Sequence, residues 1–252
     1  MTVPDTGTPW LRRFHARPGA RLTVVLFPHA GGTANFYREW AAGLPEEFAS
    51  AVVQYPGRET RFGEPLPARL EDLAAGAAAA LEGHLTGPYA LFGHSMGSLV
   101  AYEAARRLAG GPLGPPVRLF ASARRAPGRE EPASGVHLLD DDGLVAVLEK
   151  LGGTPPGLLD DPDLRSLVLP PVRGDYRLVD AYRPAAPEPL DVPVTALAGA
   201  DDPSVSPAEV DRWGDLTTRG HVLEVLPGGH FFPVRHRAEV LRVLVRDLAG
   251  AV

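Results

Sequence analysis

The sequence predicts an α/β fold: a mostly parallel sheet covered on both faces by helices. Apolar runs of strand length occur at residues 22–27, 51–54, 89–92, 117–121, 192–198 and 221–226, with helical patterns between them. The 22–27 run is continuous rather than alternating, as a buried parallel strand requires. Except at one place the connections are short, which implies strands of one sheet joined by crossover helices. With 252 residues, 44% of them hydrophobic, the chain can bury a full core as one unit. No internal repeat or low-complexity segment divides it, so residues 1–252 read as a single domain.

In chain order, Leu22-Thr-Val-Val-Leu-Phe27 enters Pro28-His29-Ala30-Gly31-Gly32, and helical spacing resumes at residues 36–44. The strand at 51–54 runs into Tyr55-Pro56-Gly57-Arg58. Residues 69–85 predict an amphipathic helix, because Leu70, Leu73, Ala74, Ala77, Leu81 and Leu85 keep one face. The run from Tyr89 to Phe92 ends in Gly93-His94-Ser95-Met96-Gly97, followed at once by a small-residue helix at 99–108. After the 117–121 strand the alternation stops. Two helical patches, 140–151 and 163–182, flank Gly152-Gly-Thr-Pro-Pro-Gly157, and no strand is expected over about 124–187. One reading of such an insertion is padding of the fold. Its place after the strand next to the Ser95 strand favours a lid over the carboxyl ends of the sheet, where α/β proteins bind ligands. The sheet resumes at 192–198, ending in Gly199-Ala200-Asp201-Asp202-Pro203. The 221–226 strand ends in Pro227-Gly228-Gly229-His230, and a helix at 238–248 closes the chain.

Composition excludes several function classes. A net charge of −6 without a basic stripe argues against nucleic acid as a partner. The absence of Cys removes disulfides, thiolate metal sites and a thiol nucleophile together. Lys150 is the sole lysine, which disfavours Schiff-base chemistry. No apolar stretch reaches the length of a spanning helix, and residues 1–13 lack a signal-peptide core, so no membrane association and a cytoplasmic location are expected.

Gly-x-Ser-x-Gly is the sequence of a nucleophile elbow, in which serine sits on a tight strand-to-helix turn. With 28 glycines and eight serines, chance alone gives the pattern in about one such chain in ten. The strand before it and the helix after it carry the assignment of Ser95 as nucleophile. A serine hydroxyl needs an imidazole to take its proton and a carboxylate to hold that imidazole. Of the eight histidines, His94 adjoins Ser95 and should point away, and His29 lies in a Gly-rich loop where shape matters more than basicity. His15 and His84 read as surface, His221 opens a strand, and nothing marks His137 or His236. His230 alone follows a late strand on a loop freed by two glycines, in the order Ser…Asp…His, and is the candidate base. The acid is Asp202 or Asp201, with Asp202, immediately before Pro203, preferred. Two N–H groups are expected to hold an oxyanion: that of Met96, after the nucleophile, and that of Ala30, in the loop after the first strand.

With these residues in place the chain resembles the type II thioesterases, free-standing α/β-hydrolases that serve polyketide synthases and nonribosomal peptide synthetases. The matching segments are Phe27-Pro-His-Ala-Gly-Gly32, Tyr55-Pro-Gly-Arg58, Phe92-Gly-His-Ser-Met-Gly97 and Leu151-Gly-Gly153, then Leu169-Pro-Pro-Val-Arg-Gly-Asp-Tyr176, Gly199-Ala-Asp-Asp-Pro203 and Gly228-Gly-His230. They run in order through nearly the whole chain, and one position departs: Gly174 stands where Ser is expected before Asp175-Tyr176. The resemblance implies an α/β-hydrolase fold with a helical lid, and puts nucleophile, acid and base on Ser95, Asp202 and His230 and the oxyanion donors on Met96 and Ala30. It implies a serine thioesterase that hydrolyses acyl thioesters on the phosphopantetheine arm of acyl or peptidyl carrier proteins, clearing stalled or misprimed units. No cofactor and no metal are expected, and a monomer is. Carrier proteins of these pathways are generally acidic, so docking needs a local basic face, for which Arg106, Arg107, Arg124, Arg125 and Arg129 are candidates. The rival readings are a general carboxylesterase or lipase, an acyltransferase or cyclase on the same fold, and a small-molecule receptor that keeps a hydrolase shell.

Overall fold

The structure, a computed structural model, describes residues 7–128, 133–184 and 187–251. Among these residues seven strands form one sheet in the order β1-β3-β2-β4-β5-β6-β7. These are β1 (Leu11–Arg12), β2 (Leu22–Phe27), β3 (Phe48–Val53), β4 (Tyr89–His94), β5 (Arg118–Ser122), β6 (Val194–Gly199) and β7 (His221–Leu226). All pairs are parallel except β1 with β3. The two-residue β1 was not anticipated, because so short a segment carries no periodicity. Among the described residues eight α-helices accompany the sheet: α1 (Arg38–Gly43), α2 (Leu70–His84), α3 (Met96–Ala109), α4 (Asp141–Leu151), α5 (Pro162–Ala181), α6 (Pro207–Asp211), α7 (Phe232–Arg235) and α8 (Arg237–Leu248).

The pleat of the central strands sorts their side chains between two cores. Val25 and Phe27 of β2 face a core with Leu73 and Leu81 of α2 and Leu99 of α3. Val24 and Leu26 face the opposite core, with Trp40 of α1 and Leu244 of α8. Every residue of β4 is buried, which explains its continuous apolar run. Strand β7 at the edge is only half-buried, and Val222 and Val225 are exposed.

The connection leaving β2 leads to β3 on one side, while that leaving β4 leads to β5 on the other. A crevice therefore opens where Phe27 lies opposite Gly93. The long connection between β5 and β6 holds α4 and α5 and, among its described residues, no strand. Both helices start from Asp caps. Asp140 accepts the Gly143 N–H, and Asp161 accepts those of Asp163 and Leu164. Leu144, Val145, Leu159, Leu169 and Val172 form a small third core inside the connection. α5 is continuous through Pro170 and Pro171, which supply no N–H to its ladder.

Candidate active site

Ser95 stands between β4 and α3 with φ 54° and ψ −120°, a backbone conformation that costs a non-glycine residue about 1–3 kcal/mol. The surrounding bonds hold it there. The Ser95 N–H donates to Ser122 O at 2.8 Å, and the Ser98 N–H to Ser95 O at 3.0 Å. Ser98 Oγ lies 2.9 Å from Gly93 O and accepts the Ser122 N–H at 3.1 Å. Both motif glycines are required by close backbone approach. A Cβ on Gly93 would lie 2.3 Å from Gly97 O, and one on Gly97 would lie 2.1 Å from Phe27 O.

The strand ends bring three predicted residues together. Ser95 Oγ lies 3.0 Å from His230 Nε2, and His230 Nδ1 lies 2.8 Å from Asp202 Oδ2. Asp202 sits just past β6 and His230 just past β7, while Asp201 is exposed. The other Asp202 oxygen accepts the Ser204 backbone N–H at 2.8 Å and its hydroxyl at 2.7 Å, and Ser204 Oγ is 2.9 Å from His230 Nδ1. With acceptors facing Nδ1, the ring proton resides there and the Nε2 lone pair accepts the hydrogen bond of the Ser95 hydroxyl. Burial pushes the Asp202 carboxyl up, but the hydrogen bond and charge of His230, with the Ser204 bonds, outweigh it and hold it below the usual range. Ser204 was missed by sequence reasoning. Its signal was present, since Asp-Pro-Ser favours a turn in which the Asp side chain accepts the N–H two residues on.

His94 points away from Ser95, its Nδ1 3.0 Å from Ser122 Oγ. His29 packs edge-on against Phe36 and Phe231. Burial and the neighbouring His230 hold both rings neutral, His94 well below the usual imidazole range and His29 at about 3, with Arg58 adding to the latter. His137, which nothing in the sequence marks, has its Nδ1 2.9 Å from Asp180 Oδ2.

Met96 is the first residue of α3, so its N–H has no intrahelical partner. Ala30 lies in the loop after β2, beside Gly31, whose N–H donates to Asp175 Oδ2 at 2.7 Å. Asp175 is also bound in bidentate fashion by Arg58, at 2.6 and 2.9 Å. Two segments quoted above as family signatures thus meet in a buried ion pair that no sequence pattern foretold. Burial lowers the Arg58 pKa, but Asp175 outweighs this and raises it. At Gly174 a side chain would come within 2.6 Å of Leu66 Cδ1, so Leu66 occupies the space that Ser would need.

A cavity of about 540 Å³ opens at Ser95 and His230, with Val147 and Leu151 of α4 and Tyr176 and Val179 of α5 in its wall. Arg124 and Arg125 line it as well, and Arg125 pairs with Glu209 at 2.8 Å. Arg106 and Arg107 both pair with Glu103 on their own helix. Arg129 lies outside the described residues. Among those residues, no group of three or more His, Asp or Glu side chains is arranged to hold a metal ion, and no helix is long and apolar enough to cross a membrane.

This sheet order, with a serine on a strained turn after β4 and its Asp and His partners after β6 and β7, defines an α/β-hydrolase. A family profile described as a thioesterase domain matches residues 22–248. A probable cadicidin biosynthesis thioesterase of Streptomyces griseus is 40% identical over 99% of this chain and 70% of its own length. Thioesterase PikA5 of Streptomyces venezuelae is 40% identical over 90% of this chain and 81% of its own. Among solved structures, the type II thioesterase BorB from the borrelidin biosynthetic cluster superposes with a TM-score of 0.88 at 38% identity, covering 96% of this chain and 98% of BorB. The chain belongs to the thioesterase family and is a thioester hydrolase.

Proposed function

We propose that this chain is a type II thioesterase that hydrolyses acyl thioesters borne on the phosphopantetheine arm of acyl or peptidyl carrier proteins, clearing stalled or misprimed units in the cytoplasm. The observation that carries this reading is the continuous Ser95–His230–Asp202 relay at the floor of a cavity wide enough for an acyl chain. In this reading Ser95 Oγ attacks the thioester carbonyl while His230 Nε2 takes its proton, and Asp202 steadies the imidazolium. The Met96 and Ala30 N–H groups stabilise the tetrahedral oxyanion. Its collapse breaks the C–S bond, and the departing thiolate takes the proton from His230. Water then attacks the acyl-enzyme, giving its proton to the same imidazole, and Ser95 recovers a proton as the acid leaves. Helices α4 and α5, within residues 124–187, act as the lid that keeps bulk water from the intermediate. The biosynthetic setting is supported by relatives whose own names place them there, including BorB and YbtT, the latter a type II thioesterase from the yersiniabactin pathway.

The test is mass spectrometry of a panel of acyl-carrier proteins incubated with the wild type and with Ser95→Ala, alongside a matched oxygen ester. Unloading of the carriers by the wild type alone, with the thioester strongly preferred over the oxygen ester, is expected. Equal rates on both esters would favour a general carboxylesterase, and acyl transfer to an acceptor other than water would favour a transacylase.

A further inference from the structure

The Arg58–Asp175 pair is almost wholly removed from water, with side chains 3% and 1% exposed. Replacing a buried ion pair by apolar side chains is often neutral or stabilising, so stability alone is a weak reason for one to be here. Its use is better sought in what it holds.

Asp175 lies on α5 and spends one oxygen on two partners. Oδ2 accepts from Arg58 at 2.6 Å and from the Gly31 N–H at 2.7 Å, while Oδ1 accepts the second Arg58 bond at 2.9 Å. Gly31 adopts φ +73°, and a Cβ there would lie 2.3 Å from Val172 Cγ2, one turn earlier on α5. The same helix therefore grips the loop after β2 both by its N–H and by its Cα. The Tyr55 hydroxyl donates to Pro28 O at 3.3 Å, and the Gly32 N–H to His29 O at 2.9 Å, so the loop is fixed on either side of Ala30. None of these bonds uses the Ala30 N–H, which stays available to a ligand.

We propose that Asp175 and Arg58 are positioning residues: together they set the Ala30 N–H at the site of the developing oxyanion and tie that donor to α5, so that this turn of α5 and half of the oxyanion hole stay together as one body. The proposal rests on the oxyanion role assigned above. It implies that any opening of the cover pivots in α4 and the Gly152–Gly157 turn, where Gly152 and Gly157 have φ +82° and +76°, and leaves the Asp175 turn of α5 in place.

The experiment compares wild type, Asp175→Asn and the double variant Arg58→Gln/Asp175→Asn, which leaves no buried charge unpaired. Hydrolysis of an acyl-pantetheine thioester, thermal melting, and affinity for two analogues are measured. One analogue is an acyl-pantetheine trifluoromethyl ketone, which forms a tetrahedral oxyanion adduct; the other is the matching unreactive ether. In both variants kcat should fall on the order of 10²-fold, the penalty of a displaced oxyanion donor, with KM within about threefold of wild type. Affinity for the ketone should fall in parallel while that for the ether holds. The double variant should recover melting temperature without recovering kcat. A folded variant with wild-type kcat, or one in which kcat and melting temperature recover together, overturns the proposal; so does loss of folding in both, which would assign the pair to stability. Either result against an active wild type leaves the functional reading standing. A wild type that neither hydrolyses the thioester nor takes a fluorophosphonate on Ser95 counts against that reading itself.

Discussion

The segment from β4 through α3 and the connection between β5 and β6 face each other across the same cavity, yet they are built differently. All of β4 and eleven of the fourteen residues of α3 are buried, and the turn between them is clamped by backbone atoms at van der Waals limits. α4 buries only Leu144 and Val145 of its eleven residues, and the third core has no strand in it. The floor of the site has little freedom because strand register and close packing restrain each atom. The cover is held to itself by a thin apolar contact and the Asp180 bonds to Ser134 and His137, and to the rest of the molecule by the Asp175 clamp, Leu178, and Tyr182, whose hydroxyl donates to Glu103 at 2.8 Å. In the proposed reading, chemistry that demands sub-ångström placement sits on the floor, and the variable part of a substrate meets the cover.

Substitutions separate the two regions most sharply where chemistry is concerned. Ser95→Ala should lower kcat by about 10⁶-fold with folding intact. Asp202→Asn should cost about 10⁴-fold, because Asn can present an N–H to His230 Nδ1 and so favour the wrong tautomer. Both are read by steady-state hydrolysis of an acyl-pantetheine thioester. Stability comes next. Gly97→Ala drives a methyl against Phe27 O and should cost about 3 kcal/mol or more in urea denaturation. Gly83→Ala, with no atom within 4 Å of the new Cβ, should stabilise by about 0.5–1 kcal/mol.

Acid acts through two buried histidines, His29 and His94. His29 is held at about 3, below its usual value of 6.5, so the unfolded chain takes up its proton first as pH falls. The contribution is fully present above pH 6.5 and is lost progressively as pH drops towards 3, by about 2 kcal/mol at pH 5. His94 acts in the same direction. In His29→Phe the loss of stability between pH 7 and pH 5 should shrink by that amount. The smallest effect belongs to the cover: Leu151→Ala should shift kcat/KM towards bulkier acyl chains by about tenfold while changing stability by about 1 kcal/mol. An acyl preference unchanged in Leu151→Ala would break the division of labour drawn here.

Much of this was legible in advance because the features are local. The Gly-x-Ser-x-Gly turn, the strand-length apolar runs and the histidine on its Gly-Gly loop each leave a signature within a few residues. The helices of the β5–β6 connection were legible for the same reason, from their periodicity. α6 was not, although Ser206 and Glu209 form a capping box around it, because five residues are too few to show a period. α7 was lost in the same way. Ser98 was missed because a serine looks alike whether it bonds water or the backbone of the next strand, whereas the Asp-Pro-Ser turn did mark Ser204 locally but not its approach to His230, which needs β7 beside β6.

The order of the residues determined on its own that the chain alternates strand and helix, that a serine is presented on a turn too tight for a side chain at Gly93 or Gly97, and that an Asp-Asp pair at a strand end and a histidine on a Gly-Gly loop follow it. Those are properties of short stretches, and short stretches are governed by sterics and periodicity. Only the tertiary structure decided that Asp202 rather than Asp201 meets His230, that Ser204 seals the far side of the carboxylate, and that Arg58 and Asp175, 117 residues apart, close on Gly31. Each of these depends on which strand ends lie side by side and how the β5–β6 helices settle over them. That choice is made by packing across the whole sheet, and no window of sequence contains it.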